Sequence, residues 1–213
     1  MDEAPPLAGQ GPFELSGGDL SLDFVNTWGD RGRPDTDGLG TYSQLLAFAR
    51  QTNQIEAKIE SDLAARALAE PLAASAVTQA ARALREALYG LFSARAHHQD
   101  PPEQDLASLN RALREALPNL SLDLHGKSLV WHWRQDGTAL TSPLWPIARA
   151  AADLLSAATP APVRECDGAQ CTWLFLDFSR GRSRRWCSMA SCGNRAKARR
   201  HYHRGRNMPP QGS

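Results

Sequence analysis

All four cysteines of this 213-residue chain fall within one short stretch near its C-terminus, Cys166, Cys171, Cys187 and Cys192. They form two pairs with four residues inside each pair and fifteen between the pairs. The second pair runs directly into an arginine-rich segment that ends near Arg206. Four thiolates at such spacing can close a tetrahedral zinc shell. The alternative of two disulfides is disfavoured by compartment. No apolar run approaches the roughly 18 residues that span a bilayer, and the leader MDEAPPLAGQGP is acidic and proline-rich rather than basic then apolar, so a cytoplasmic, reduced protein without membrane contact is expected.

Charge divides the chain in the same place. From Pro160 onward eleven Lys and Arg face three acids, so the net charge of +1 resolves into +8 for the tail and -7 for what precedes it. A tail of that sign seeks polyanions, while the larger part repels them. Thr159-Pro160-Ala161-Pro162 reads as a stiff linker, which gives a domain at 1–159 and a second at 160–213.

The larger part reads as mainly α with a small β-hairpin. After a frayed leader, Asp19 is placed to N-cap a helix over LSLDFVNTW, and a turn-rich loop follows from Gly29 to Gly40. Thr41 with Gln44 forms a capping-box pattern. A short helix from Ser61 stops before Pro71, and the strongest apolar stripe runs from about Ser75 to Ala96 through Val77, Ala81, Leu84, Leu88, Leu91 and Phe92. His97 and His98 read as exposed helix-end residues rather than metal ligands. Another helix spans Glu103 to Leu117, with Leu106, Leu109, Leu113 and Leu117 on one side. Alternation then predicts a hairpin over Leu120–Leu124 and Leu129–Arg134 around Gly126-Lys127, covering the helical core with Trp131 and Trp133. A last helix follows Pro143. The competing use of Asn26, Trp131 and Trp133 is to line a small-molecule pocket. For Asn26 the structural reading is a buried side chain that satisfies neighbouring backbone.

The cysteine segment holds too few apolar residues for a core of its own, so metal is expected to supply the deficit. A knuckle at Cys166–Cys171, a strand over Thr172–Phe178, a basic turn SRGRSRR and a helix starting near Cys192 give a treble-clef-like order. On that helix Arg195, Arg199 and Tyr202 share one side and Lys197, Arg200 and Arg204 the other, with no wide apolar stripe to bury. A phosphate backbone is the partner such a helix suits.

The string LFLDFSRGRSRRWCSMASCGNRAKARR, with CGNR at Cys192–Arg195, resembles the CGNR zinc-finger family, a C-terminal finger of bacterial regulators. In that family the finger follows a helical domain called ABATE, associated with stress-induced transcriptional regulation. The order here is similar, with LDFVNT at Leu22–Thr27 and LREALYGLF at Leu84–Phe92. The resemblance implies Zn2+ on Cys166, Cys171, Cys187 and Cys192, and DNA binding through the surrounding basic residues. By physical role, Arg184, Arg185, Lys197, Arg200 and Arg204 are phosphate contacts, while Asn194, Arg195 and Arg199 near the helix start can reach base edges, and Arg180 and Arg182 complete the nucleic-acid-binding set. The competing role for Asn194 and Arg195 is to cap the helix and buttress the zinc loop.

These features point to a zinc-dependent regulator that binds duplex DNA and responds to stress or a small-molecule effector. An RNA-binding or ribosome-associated module and a protein-interaction adaptor are the alternatives. A regulator's symmetry favours a homodimer, although no heptad pattern supports one. An enzyme is not expected, because four thiolates fill the zinc shell and leave no position for water.

Overall fold

The computed structural model describes residues 11–157 and 161–206, the side chains at 200, 201 and 203–206 excepted. Its centre is the short helix α1 (Leu20–Val25), capped by Asp19, whose carboxylate accepts the Ser21 amide. Leu22, Phe24 and Val25 on this helix are fully buried. Around it pack α2 (Tyr42–Gln51), α3 (Ala57–Ala69), α4 (Pro71–Ala96), α5 (Glu103–Ala116) and α6 (Trp145–Ser156). Thr41 and Gln44 make the reciprocal capping box at the start of α2. Leu84, Leu88, Leu91 and Phe92 of α4 close over α1 and α2 in one core. Each fully buried leucine there contributes roughly 1.5–3 kcal/mol.

Two helices begin earlier than their patterns predict. α3 starts at Ala57 rather than Ser61, and α4 starts at Pro71 rather than Ser75. Pro71 ends one helix and opens the next. Its missing N–H costs nothing in a first turn, where amides lack intrahelical partners anyway. Of the predicted α5 stripe, Leu109 is buried but Leu106 and Leu117 are exposed.

The hairpin forms where expected, β1 (Leu120–His125) antiparallel to β2 (Ser128–Trp133), with Leu122 opposite Trp131 and Leu124 opposite Leu129. Gly126, the first central residue of the two-residue turn, has φ of +61°, the position a type II′ turn reserves for glycine. The expected role holds only at the base, where half-buried Trp133 lies 6.3 Å from the ring of the buried Trp145 on α6. Leu122, Leu124, Leu129 and Trp131 are exposed instead of covering the core.

A second antiparallel pair, β3 (Val163–Glu165) and β4 (Leu174–Leu176), brackets the first two cysteines. Val163, Leu174 and Leu176 belong to the same core as α1 and α4. Of the proposed linker, Thr159 and Pro160 lie outside the described residues, and Ala161 is itself buried in that core. The chain ends in α7 (Asn194–Arg206), preceded by a wide π-type turn at Met189–Gly193. The whole is mainly α with two small hairpins and a treble-clef-like C-terminal unit.

Candidate metal centre and its basic surround

The sulfur atoms of Cys166, Cys171, Cys187 and Cys192 lie within 4.8 Å of one another, and all but Cys171 are buried. Cys171–Cys187 and Cys187–Cys192 sulfurs are 3.8 and 3.7 Å apart. A tetrahedron with Zn–S bonds of about 2.3 Å has edges of about 3.8 Å. Local backbone builds this shell. The Cys171 amide donates to the Gly168 carbonyl to fold the first knuckle, and Gln170 adopts a φ of 70° within it. Cys166 Sγ accepts the amides of Gly168 and Cys187. A Cβ on Gly168 would come to 2.8 Å from Cys192 Sγ, so the cluster can close only over a glycine.

The donors also fit a cation electrostatically. Hydrogen bonds from Cys171 and Cys187 hold the Cys166 thiol far below its ordinary range. The hydrogen bond with Cys166 raises Cys171 and Cys187 in turn. Four sulfurs this close ionise together only around a divalent cation. Phe175, Trp173 and Trp186 pack against them as a small apolar shell.

The unit is fastened to the helical body by polar contacts. Asn26 Nδ2 donates to the Leu174 carbonyl at 2.8 Å and Asn26 Oδ1 accepts the Leu174 amide at 2.9 Å, so one side chain continues the β4 edge. Glu165, next to Cys166, accepts from Tyr89 and Ser93 of α4 and meets His97 Nε2 at 2.9 Å. Arg31, from the loop after α1, donates to Glu86 and to Thr172 and stacks over the Tyr89 ring. Beneath them Asp37 pairs with Arg85, wholly buried on α4, at 2.6 Å.

The basic residues divide into those paired within the protein and those left without a partner on the surface. Arg184 donates to the carbonyls of Ser16, Trp186 and Cys187 and lies over the Phe175 ring, so its guanidinium belongs to the scaffold. Arg185 pairs with Asp167 at 2.7 Å beside Trp186. Arg195 Nη2 donates to Cys192 Sγ at 2.9 Å, and that bond raises the Arg195 pKa. Asn194 donates to the Ala190 carbonyl, one turn back. Arg180, Arg182, Lys197 and Arg199 are exposed. Arg200 and Arg204 continue α7, their side chains outside the description.

Sequence reasoning missed several of the organising acids. Asp177 is fully buried and accepts the amides of Ser179 and Arg184 and the Arg164 guanidinium, which pins the basic turn. The Asp-x-Ser at 177–179 is the signal that could have shown it, since Asp accepts the amide two residues on. Glu165 carried no comparable local sign. Asn26 and the two tryptophans do not come together. The cavity that Asn26 lines is not lined by Trp131 or Trp133, and Trp131 sits under Arg149 of α6.

Beside the sulfurs a cleft of ≈ 650 Å³ separates the loop at 29–36 from the start of α7, walled by Trp173, Trp186, Arg33, Arg185 and Arg199. None of the described helices is long and apolar enough to cross a membrane.

A family model described as "Putative stress-induced transcription regulator" (ABATE) matches residues 18–158, and the CGNR zinc-finger model matches residues 163–205. No curated protein matches the chain. With the sulfur geometry, the finger match identifies the cofactor as Zn2+. Both matched families are of regulator and zinc-finger types rather than enzymes. The first match alone spans more than half of the sequence, and the chain therefore belongs to the ABATE family and carries its finger, of the CGNR type, at the C-terminus.

Proposed function

We propose that this protein is a cytoplasmic, zinc-dependent regulator that binds duplex DNA through residues 160–213, with residues 1–159 as the regulatory part. The four cysteines hold the zinc. The observation that carries the reading is the sorting of the basic residues around the metal. Arg184 is half-buried in scaffold contacts, and Arg185 and Arg195, though exposed, are paired with Asp167 and Cys192 Sγ, whereas Arg180 and Arg182 on the turn and Lys197 and Arg199 on α7 are exposed and, among the described residues, unpaired. Surface cations without a partner of their own are suited to phosphates. Arg200 and Arg204 add to the same helix, and Arg199 and Asn194, near its start, reach base edges.

An effector has a natural place in the cleft between the loop at 29–36 and α7, because Arg199 lines it. A ligand there and DNA would draw on the same side chain. That arrangement makes a stress- or ligand-responsive regulator of the two halves.

The test is competition between duplex DNA and structured RNA for the zinc-loaded chain, with Arg180, Lys197 and Arg199 all changed to Glu. Duplex DNA should win, and the triple variant should lose at least about 100-fold in affinity, since charge-assisted contacts contribute roughly 1.5–3 kcal/mol each. Preference for RNA would support the RNA-binding alternative. Unchanged affinity in the triple variant would leave zinc with only the shaping of a docking surface.

A further inference from the structure

The β1–β2 hairpin carries more exposed apolar surface than a free-standing element can explain. Leu124 is 72% exposed, Leu129 67%, Trp131 58% and Leu122 51%. The register places all four on one face, as two opposed pairs, Leu122 with Trp131 and Leu124 with Leu129. Leu117, in the short turn that leads into β1, is also 47% exposed. Singly exposed leucines are ordinary on protein surfaces, but a contiguous apolar sheet face is not.

The edges tell the same story. Among the described residues this sheet has two strands, so each strand has an outer edge without a neighbour. Exposed edges are normally blunted by proline, lysine, a bulge or an inward charge. Neither Leu120–His125 nor Ser128–Trp133 contains a proline, a lysine or an arginine, and the register runs without a bulge through six pairs. The charged or titratable residues, Asp123, His125 and His132, alternate with the apolar ones and so lie on the opposite face, where Asp123 and His132 approach to 3.9 Å.

We infer that the β1–β2 hairpin is a self-association surface, packed against the same hairpin of a second copy about a two-fold axis. Two considerations select a second copy over another partner. Beyond Arg149, which stands over Trp131 at the end nearest α6, the face carries no charged residue of the hairpin for a differently charged partner to read, and its apolar side chains meet their own symmetry mates without conflict. The area reaches the lower bound. Leu122, Leu124, Leu129 and Trp131 at their stated exposures bring a two-copy interface to on the order of 1,000 Å², the floor for a biological contact and the size of a dimer that exchanges with monomer. The inference gives the DNA-binding reading a symmetric regulator, but it stands on the hairpin alone and is measured without nucleic acid.

The experiment is light scattering coupled to size exclusion on the zinc-loaded full chain over a range of protein concentrations, for the natural sequence and for Leu124→Lys with Leu129→Lys. Both leucines are exposed, so the double variant should keep its circular dichroism and its zinc. The natural protein is expected at twice the 23.3 kDa chain mass and the variant at the chain mass. A natural protein that stays at the chain mass at high micromolar concentration would overturn the inference, as would a variant that remains a dimer or a ladder of higher species. If the variant does not fold, amide exchange of the natural protein decides instead. Protection over residues 120–133 must rise with concentration, and protection independent of concentration overturns the proposal.

Discussion

At the scale of single residues, the finger is held in place by side chains that stand in for backbone or compensate buried charge. Asn26 satisfies both peptide groups of Leu174, and Arg195 donates to Cys192. Asp37 is the acid on which the contacts of α4 converge. Burial would raise its pKa, but hydrogen bonds from Arg85 and from the Leu39 amide, with the charges of Arg85 and Arg82, bring it down to about 2. A carboxylate whose pKa falls on folding adds stability above its unfolded value of about 3.9, and that contribution is lost as pH falls through the folded value. Asp37→Asn should therefore cost about 1.5–3 kcal/mol near neutral pH, because buried Arg85 loses the carboxylate that accepts both of its terminal nitrogens and keeps Glu86 as its ion-pair partner. Urea midpoints of both proteins, followed from about pH 5 towards 2, should converge as the natural carboxylate protonates. Zinc loss affects both alike, so a gap that stays constant would refute this role. Asn26 was legible as a buried backbone-satisfying residue, but its partner 148 positions away was not.

At the scale of elements, the periodic helices and the hairpin were readable because their signals are local, as in the capping box at Thr41 and the II′ glycine at 126. What the pattern could not contain was where each face goes. Alternation in β1 and β2 reads the same whether the apolar side meets a core or solvent, and the structure leaves it exposed. The cysteine unit shows the converse. Read alone it lacks a core, yet Val163, Leu174 and Leu176 borrow the core of the helical body. This changes what metal removal should do. Chelation should abolish amide protection first at 166–171 and 187–206, where sulfurs and polar contacts hold the chain, while Leu174–Leu176 and α1 to α6 keep theirs. Exchange mass spectrometry with and without chelator checks it. Simultaneous loss across β4 and α1 would mean that the finger and the body are a single metal-dependent unit.

At the scale of the whole molecule, the charge split of -7 before Pro160 and +8 after it was visible in the sequence, and so was the ligand quartet. Which arginines serve the scaffold was not visible, because Arg184 and Arg185 are neighbours of like charge whose partners, the Ser16 carbonyl and Asp167, come from separate segments. Spacing records a residue's place on its own element and not what packs against it. The fold thus converts a dense basic run into a smaller unpaired set beside the four cysteines, anchored to an acidic body. The central claim is that this set contacts duplex phosphates only when the metal shapes it. Titration of duplex DNA by fluorescence anisotropy across a salt series, with and without chelator, tests it most directly. With five or six phosphate contacts, log affinity should fall against log salt with a slope of about -4.5 to -5.5, roughly 10³-fold between about 50 and 200 mM, and chelator should abolish binding. A flat salt dependence, or binding that survives zinc removal unchanged, would contradict the account.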